Sequence, residues 1–313
     1  MPSAARLLAS TIGRLSPKYR TLGQWAETYR QIIDSRPISD KTKANRRSAL
    51  APLVAALGER TISAIRPHEV AELVRRLHAA HPQAAKRSLI EARDLFNEAL
   101  LYGWIDRNPA AAVKQLAVRI QRRRLTIEQW RRIHDHAAAH MPPWVSRMLV
   151  LALVTGQRRS DLCKMRFDDV WGGALHVEQA KTGTRLALPL ALRLDALGVT
   201  LGQAIDDCRA YATGEETLLR KHNGKPLVLA SLSARFEEAR ELAIPAAGEG
   251  LPPSLHECRS LSERLYRVQG INTMVLLGHK HQAMTDMYND DRGLTRGEWQ
   301  RLSVPLPAVD EVL

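Results

Sequence analysis

Cysteine is scarce in this chain of 313 residues, which has only Cys163, Cys208 and Cys258. The three are far apart and none belongs to a C-x-x-C pair, so the sequence supports neither a disulfide framework nor a thiolate zinc site. We predict that they are reduced and structural. Long apolar runs are missing too, since no stretch reaches the roughly 20 residues of a membrane-spanning helix. The first residues lack a signal-peptide pattern. These absences predict a cytoplasmic protein with no membrane partner.

Acidic residues are few beside the basic ones, with 33 Asp and Glu against 46 Lys and Arg and a net charge of +13. The excess lies entirely in the first part: up to Leu125 there are 23 basic and 10 acidic residues, and the remainder has 23 of each. The length and an apolar content of 45% favour two domains with separate cores. A concentrated basic charge indicates nucleic-acid binding through phosphates. A solvated basic face without a partner is the ordinary alternative, and an anionic membrane surface is a weaker one.

The first part of the chain has the periodicity of four helices. Leu22, Trp25, Tyr29 and Ile32 follow one another at spacings of three to four residues, as on one face of a helix. Residues 1–20 contain little that could form a core and are predicted to be a tail or one short helix. The four helices are predicted over residues 21–36, 40–57, 67–79 and 82–102, with a cap at Ser39 or Asp40, Pro67 at a first helical position, and Gly58 and Gly103 at two ends.

A basic segment is predicted to link the two domains. The composition changes at the Asn-Pro pair of positions 108 and 109, and we place the linker at residues 114–125. It ends in an arginine triplet, Arg122, Arg123 and Arg124. Two domains joined by a basic linker are able to close around a DNA duplex. An arginine triplet is also typical of a flexible, solvated linker.

The rest of the chain is predicted to be mainly helical with a small sheet. Residues 144–154 are apolar enough for a buried helix, which leads into Thr155-Gly156. Residues 174–179 and 185–190 alternate as two strands, and the turn between them holds Lys181. The remaining predictions are a capping box formed by Thr126 and Gln129, helices near 200–212, 231–243 and 258–269, and a short strand through Trp299, Leu302 and Val304.

Residues 255–293 bring together four side chains suited to phosphate chemistry: His256, Arg259, His279 and Tyr288. His256 and Arg259 stand three residues apart and therefore project from one face of a helix. A tyrosine beside imidazole and guanidinium groups is what phosphoryl transfer to a phenol oxygen requires. Each histidine has an ordinary alternative as a structural residue, and a zinc pair would lack a third ligand at metalloenzyme spacing. Tyr266, in the same stretch, suits a core position.

This order of residues, H-x-x-R followed by G-H and then Y, resembles the second motif of the tyrosine recombinase (phage integrase) family. The family's first motif, an arginine after Thr-Gly with an acidic residue three positions later, resembles residues 154–161 and aligns Arg158 and Asp161. The family also has a lysine on a β-hairpin, which aligns with Lys181. The resemblance covers roughly residues 21 to 303. Cys258 stands where the family usually has leucine, a difference that concerns packing.

The resemblance implies a mainly α fold with two domains. A four-helix, SAM-like core-binding domain is expected at residues 21–113. An α+β catalytic domain with a small β-sheet is expected at residues 126–313, with a C-terminal tail from about 294.

The resemblance also implies a mechanism. Tyr288 attacks a DNA phosphodiester, which gives a 3′-phosphotyrosyl link and a free 5′-hydroxyl. Arg158 and Arg259 bind the non-bridging oxygens, and Lys181 protonates the leaving oxygen. No cofactor, neither Mg²⁺ nor ATP, is expected, because protein cations supply the charge stabilisation. The other roles are hydrogen bonds to the phosphate from His256 and His279, acceptance of the phenol proton by His256, and an arginine held in place by Asp161.

The expected partner is double-stranded DNA at core recombination sites. A homotetramer is expected to exchange the DNA strands through a Holliday junction, in the cytoplasm of a bacterial host. DNA-bending accessory proteins are further candidate partners. The candidate DNA contacts are Lys43, Arg46 and Arg87 in the helical domain and Arg122, Arg123 and Arg124 in the linker, with ordinary solvated side chains as the alternative.

Two other functions stay open from the sequence. A type IB topoisomerase shares the chemistry but religates the same duplex. A catalytically inert DNA-binding protein is the second alternative, although such a protein has no reason to keep a nucleophile. Some family members carry a further N-terminal domain that binds arm sites in DNA, and residues 1–20 leave no room for it. We therefore expect either a shortened chain or recombination without arm sites.

Overall fold

The computed structural model describes residues 20–118, 122–211, 216–244 and 250–288. The chain divides into two compact units, Met1–Ile120 and Gln121–Leu313. The domain limits expected from the sequence, including a linker at 114–125, stay predictions. The strand expected through Trp299, Leu302 and Val304 lies outside the described residues, as does nearly all of the N-terminal tail.

Residues 20–118 of the first unit contain four α-helices, as the sequence predicts. Their bounds are α1 Leu22–Ser35, α2 Asp40–Leu57, α3 Pro67–Ala80 and α4 Pro82–Leu101. The Thr21 side chain accepts from the Gln24 amide and the Gln24 side chain accepts from the Thr21 amide, a reciprocal cap that fixes the start of α1. Ser39 caps α2 as expected. A short 3-10 turn at Ile62–Ala64, absent from the prediction, precedes α3.

The core of the first unit forms because each helix buries one apolar face. Trp25 and Tyr29 of α1 are fully buried and pack with Leu50, Leu89 and Phe96 from α2 and α4. The indole Nε1 of Trp25 donates to the Leu95 carbonyl oxygen at 3.0 Å, so this large side chain leaves no unpaired donor in the core. The helical face predicted from apolar spacing is therefore the buried one.

A network of ion pairs crosses the polar side of this core and includes Arg46. Its guanidinium donates to Glu91 at 3.0 Å, to Asp94 at 2.5 Å and to the Tyr29 hydroxyl at 2.8 Å. Burial and the two carboxylates raise the pKa of Tyr29, which stays protonated and donates to them. Arg46 thus links α2 to α1 and α4. Its expected DNA contact stays a prediction, and its guanidinium already has partners within the fold.

The described residues of the second unit are mainly helical and form two small antiparallel sheets. Its helices are α5 Ile127–His140, α6 Trp144–Thr155, α7 Arg159–Leu162, α8 Leu201–Ala210, α9 Leu229–Ala243, α10 Glu257–Val268, α11 Thr273–Leu277 and α12 Gln282–Asp286. The strands are β1 Val170–Trp171, β2 Ala174–Glu178, β3 Arg185–Pro189, β4 Arg193–Leu194 and β5 Val199–Thr200. The first sheet has the order β1-β2-β3 and the second pairs β4 with β5.

Helix α6 is the centre of the second unit. It is apolar almost all round and buried along its length, with α5, α8 and α10 packed against it. This arrangement confirms the buried helix predicted before Thr155-Gly156. On α10, Tyr266 is fully buried and its hydroxyl donates to the Val154 carbonyl oxygen at 2.9 Å. Tyr266 is therefore a core residue, as predicted.

Two further sequence predictions are confirmed in the second unit, the capping box and the strand pair. The capping box of Thr126 and Gln129 starts α5. The strand pair forms, with Leu175 opposite Leu188 on its buried face. The three cysteines are free. No helix within the described ranges is both long and apolar enough to cross a membrane. The sequence did not predict β1, β4, β5 or the short helices α7, α11 and α12, because elements of two to five residues show no clear periodicity.

Candidate active site

The Thr155-Gly156 turn at the end of α6 fixes where Arg158 stands. Gly156 has a φ of +63°, and a Cβ there would lie 2.9 Å from the Ser262 hydroxyl oxygen of α10. Only glycine fits this close approach without strain. Two residues later, Arg158 forms the N-cap of α7, half-buried, and its Nη1 donates to the Gln179 side-chain oxygen at 2.8 Å. Its position thus follows from a rigid helix end.

Arg259 enters the site from the first turn of α10 and is 1% exposed. Its Nη1 donates to the Gly156 carbonyl oxygen at 2.7 Å, and its Nη2 donates to the Leu277 carbonyl oxygen at 2.6 Å. Its Nε is buried and has no hydrogen-bond partner in the described part of the chain. Burial, with nearby Arg158 adding repulsion, lowers the pKa of Arg259 to about 10. The side chain is still a cation at neutral pH.

His279 follows the left-handed Gly278 and lies between Arg259 and α12. Its Nε2 is 3.1 Å from Arg259 Nη2, and its Nδ1 is 2.9 Å from the hydroxyl oxygen of the buried Thr285. Because a guanidinium only donates, Nε2 must be the acceptor, and the proton of the neutral ring lies on Nδ1. Burial and the cations Arg259 and Arg158 lower the pKa of His279 to about 4, in agreement with a neutral ring.

Tyr288 lies just after α12, with its ring against His279 at a centroid distance of 5.5 Å. Its hydroxyl is 3.3 Å from His256 Nε2. Both backbone groups of Tyr288 are hydrogen-bonded. Its amide donates to the Thr285 carbonyl oxygen at 2.9 Å, and its carbonyl oxygen accepts from the Ser260 hydroxyl at 3.2 Å. The phenol is half-buried and its oxygen adjoins an imidazole nitrogen.

His256 precedes α10 and pairs with the tyrosine hydroxyl. The residue is exposed to solvent, and protein atoms beside the ring remove part of its hydration. This desolvation, together with the positive charges of Arg259, Arg158, Arg124 and Lys181, lowers the pKa of His256 to about 4. The ring is therefore neutral at neutral pH and has a lone pair able to accept a proton.

Lys181 is exposed at the turn between β2 and β3, where the sequence placed it. Asp161 is 2% exposed, and its Oδ1 accepts from the Ala180 amide at 2.9 Å, next to this turn. Asp161 forms no direct ion pair with an arginine among the described residues, but its charge raises the pKa of Arg259 against the effect of burial. The expectation that it holds an arginine in place stays a prediction. The carboxylate also holds the hairpin, because the Ala180 amide points at it.

Two buried glutamines join these segments, and sequence reasoning missed both. Gln179 Oε1 accepts from Arg158, and Gln179 Nε2 donates to Gln157 Oε1 at 2.8 Å and to the Leu277 carbonyl oxygen at 3.0 Å. Gln157 Nε2 donates to the Leu276 carbonyl oxygen at 2.8 Å. The only signal in the sequence was their place inside the two motifs, one residue before Arg158 and two before Lys181.

Arg124 is also part of the site, although the sequence predicted it in a basic linker as a DNA contact, with a solvated side chain as the alternative. It is 2% exposed, and its Nη1 donates to Glu257 at 3.1 Å while its Nη2 donates to the Met287 carbonyl oxygen at 2.5 Å. Its guanidinium carbon is 6.0 Å from the centre of the Tyr288 ring. Arg122 donates to the Pro252 carbonyl oxygen at 3.1 Å, and the Arg123 amide donates to the Leu251 carbonyl oxygen at 3.0 Å. The DNA contacts expected of all three stay predictions.

The structure therefore brings Arg158, Arg259, His256, His279 and Tyr288 together, with Lys181 near enough for its charge to act on His256. Guanidinium groups bind phosphate oxygens in a fixed fork geometry. A phenol beside a neutral imidazole is a nucleophile with a base in reach. The arrangement is able to bind an anion and transfer it to the tyrosine oxygen.

Comparisons with known proteins agree with this geometry. The family profile described as "Phage integrase family" matches residues 123–293, and "Phage integrase central domain" matches residues 22–116. Prophage integrase IntE of Escherichia coli (strain K12) is 39% identical over 300 residues, which cover 91% of this chain and 80% of that protein. The integrase of Escherichia phage lambda is 36% identical over 288 residues, covering 91% and 79%.

Solved structures give the same result. A dimer of lambda integrase (75-356) bound to a COC′ core site matches with a TM-score of 0.84 and 35% identity, over 91% of this chain and 100% of that chain. A lambda integrase tetramer bound to a Holliday junction matches with a TM-score of 0.85 and 34% identity, over 94% and 83%.

Proposed function

This chain belongs to the phage integrase family, and from that membership we propose a role for each residue of its site. The protein is a site-specific tyrosine recombinase that breaks and rejoins DNA. The observation that carries the assignment of roles is the Tyr288 hydroxyl at 3.3 Å from His256 Nε2, with the Arg259 guanidinium carbon 6.0 Å from the phenol ring. Nucleophile, base and phosphate-binding cation are thus within reach of one phosphate group.

In the proposed reaction, the Tyr288 oxygen attacks the scissile phosphorus while His256 Nε2 takes the phenol proton. Arg158 and Arg259 bind the two non-bridging oxygens and stabilise the charge of the pentacoordinate transition state. Lys181 protonates the departing 5′-oxygen. The products are a 3′-phosphotyrosyl link and a free 5′-hydroxyl, and attack by the 5′-hydroxyl of a second duplex reverses the step.

His279 has a different part in this scheme. Its Nε2 accepts from Arg259, so this nitrogen orients the guanidinium before DNA binds. The earlier expectation was a direct hydrogen bond from His279 to the phosphate. With the proton on Nδ1 and that proton given to Thr285, the ring donates to the phosphate only after it turns or gains a second proton.

The proposed partners follow those of the lambda integrase structures. That protein has been solved as a dimer on a core site and as a tetramer on a Holliday junction. We propose that this chain likewise acts as a tetramer on paired core sites and passes through a Holliday junction. Its proposed place of action is the bacterial cytoplasm, where the chromosome is accessible.

The test uses supercoiled plasmids with the junction sequences that flank the coding region. A plasmid with two sites should give deletion or inversion products, and a plasmid with one site should give none. Relaxation of the one-site plasmid as fast as the two-site plasmid would favour a type IB topoisomerase. Specific binding without any covalent protein–DNA product would favour an inert DNA-binding protein.

DNA binding should be steeply dependent on salt, because the net charge of the chain lies before residue 125. Each phosphate contact contributes about −0.9 to the slope of log affinity against log salt. We expect Lys43→Ala and Arg87→Ala each to flatten the slope by about that amount. Fluorescence anisotropy with a core-site duplex at several salt concentrations measures it.

Arg76→Ala serves as the charge-matched control, because Arg76 is exposed on α3 and outside the predicted DNA contacts. Arg46→Ala should instead lower the melting temperature, since it leaves Glu91 without its paired cation and removes one of the two arginines that pair with Asp94. Slopes that stay unchanged in both the Lys43 and Arg87 variants would place the DNA surface elsewhere.

The pH dependence of cleavage should lack the inflection of an ordinary histidine near about 6.5. The pKa of His256 is lowered to about 4, so the ring is a neutral base over the whole range above that value. As pH falls towards 4 the ring gains a proton, loses its acceptor lone pair, and cleavage should slow. Single-turnover rates at subsaturating DNA report the free enzyme and test this.

His256→Gln is the matched variant for the pH experiment, because it keeps a hydrogen-bonding side chain that does not titrate. In this variant the acid limb of the profile should become smaller, and the part that remains is due to His279, whose pKa is also lowered to about 4. An inflection near 6.5 in the unmodified protein that vanishes in His256→Gln would contradict the proposed state of the base.

A further inference from the structure

Gln179 is a buried amide at the end of β2, and all of its hydrogen-bonding capacity is used. The side chain is 1% exposed. Oε1 accepts from Arg158 Nη1 at 2.8 Å and from the Thr182 hydroxyl at 2.9 Å. Nε2 donates to Gln157 Oε1 at 2.8 Å and to the Leu277 carbonyl oxygen at 3.0 Å. An amide has two donor hydrogens and two acceptor lone pairs, so each is matched once.

The backbone of the same residue closes the turn that carries Lys181. Gln179 N donates to the Thr184 carbonyl oxygen at 2.9 Å. Its own carbonyl oxygen accepts from the amides of Gly183 at 2.8 Å and Thr182 at 3.3 Å. A shift of Gln179 therefore moves the turn, and with it the lysine.

The Gln179 side chain also contacts the backbone that binds Arg259. The Leu277 carbonyl oxygen that accepts from Gln179 accepts from Arg259 Nη2 as well, at 2.6 Å. The next residue, Gly278, has a φ of +63°, and a Cβ there would lie 2.9 Å from Gln179 Nε2. The glycine of the G-H motif thus leaves space for this amide.

A neutral amide suits this place better than a carboxylate. A glutamate here would point an oxygen at the Leu277 and Gln157 oxygens, which need a donor, and would leave them unsatisfied. It would also form a charge-assisted pair with Arg158 and compete with the phosphate for that cation. Gln179 holds Arg158 by one nitrogen and leaves its full charge available.

We propose that Gln179 is a positioning residue that sets the orientation of Arg158 and the place of Lys181 together. A displacement of Gln179 would then misplace both the phosphate-binding arginine and the lysine that protonates the leaving group. This inference deepens the proposed function and rests on the roles assigned there to Arg158 and Lys181. Gln179 itself does not touch the reacting atoms.

The experiment measures single-turnover cleavage by Gln179→Met, which keeps the length of the side chain and removes its polar atoms. The first substrate is an ordinary core-site duplex. The second has sulfur in place of the 5′-bridging oxygen at the scissile phosphate, because a thiolate leaves without needing a proton. We expect a loss of roughly tenfold to a hundredfold on the ordinary substrate, as for misplaced catalytic groups.

The sulfur substrate separates the two roles. With the sulfur substrate, the cleavage rate of Lys181→Ala should return to that of the unmodified protein, whereas the cleavage rate of Arg158→Ala should stay low. Gln179→Met should be restored in part, because only its effect through Lys181 is bypassed. Two double variants test the coupling. The rate loss caused by Gln179→Met should be smaller when it is added to Lys181→Ala than when it is made in the unmodified protein, and it should likewise be smaller when it is added to Arg158→Ala. A purely structural role would instead lower the active fraction equally on both substrates.

Gln269→Met is the matched control. Gln269 also joins two segments by its amide, to Arg193 O at 3.0 Å and from Asp195 N at 3.1 Å, but away from the site. It should cleave both substrates at the unmodified rate. Cleavage by Gln179→Met at the unmodified rate, or an equal effect of it in all backgrounds, would overturn the proposal. Absence of a covalent product from the unmodified protein would instead reject the proposed function.

Discussion

Replacing Tyr288 by phenylalanine should abolish covalent attachment to DNA completely while leaving the fold and DNA affinity nearly unchanged. The change removes one oxygen and keeps the ring that packs against His279. Among the described residues, the lost oxygen interacts with His256 Nε2, at 3.3 Å, and with the Arg259 guanidinium. Catalysis by the remaining groups cannot replace a missing nucleophile. A core-site duplex nicked near the cleavage point traps the intermediate, and a denaturing gel shows protein-linked DNA.

Tyr266→Phe is the matched control for this experiment. The Tyr266 hydroxyl is buried and donates to the Val154 carbonyl oxygen at 2.9 Å, so its loss should lower stability by about 1 kcal/mol or somewhat more. The covalent product should persist in this variant. Peptide mapping of the product from the unmodified protein should identify Tyr288. A covalent product in Tyr288→Phe, or one attached at Tyr266, would contradict the assignment.

Removing either of the phosphate-binding arginines should slow cleavage by roughly a hundred- to a thousand-fold. This corresponds to about 2.7 to 4 kcal/mol, the usual effect of deleting one donor to a developing oxyanion. Arg158→Ala and Arg259→Ala should share this effect on rate. Single-turnover cleavage at saturating protein separates it from weaker binding.

The two variants should differ in stability. Arg259 is buried and donates to the Gly156 and Leu277 carbonyl oxygens, so its removal leaves two acceptors and a cavity in the core. Arg158 is only half-buried, and its one side-chain partner in the described residues is Gln179. We expect a clear fall in melting temperature for Arg259→Ala and a small one for Arg158→Ala. Arg159→Ala, which removes an exposed neighbour, is the control and should leave the rate unchanged.

Long helices and the motif residues were predictable from the sequence for physical reasons. Apolar spacing on α1 and a continuous apolar run on α6 report burial directly. Local caps such as Thr126 with Gln129 depend only on residues three apart. Tyr288, Arg158 and Arg259 were found because the family's motifs have fixed spacing, and their proximity in the structure agrees with the resemblance.

The partners of buried polar groups were not predictable in the same way. Arg124 lies in a run of arginines that is typical of a solvated segment, yet Glu257, 133 residues away in sequence, holds it inside the site. Asp161 accepts from the Ala180 amide, a contact that the sequence did not predict. Gln157 and Gln179 have no charge and no periodicity. Each of these contacts depends on tertiary folding, which spacing along the chain does not report.

Arg259 has a thermodynamic consequence for the protein without DNA. Its guanidinium is buried against two carbonyl oxygens and an imidazole, none of which is an anion, and its Nε lacks a partner in the described residues. A desolvated cation that donates only to neutral groups costs folding free energy, and the charge of Asp161 offsets part of that cost. In the proposed mechanism the scissile phosphate supplies an anion that the guanidinium binds directly, so DNA is a ligand of the folded state as well as a substrate. The same linkage predicts that free inorganic phosphate and sulfate act as weak stabilisers of the fold and as competitive inhibitors of DNA cleavage. Both are anions that would bind the Arg259 guanidinium in place of the DNA phosphate.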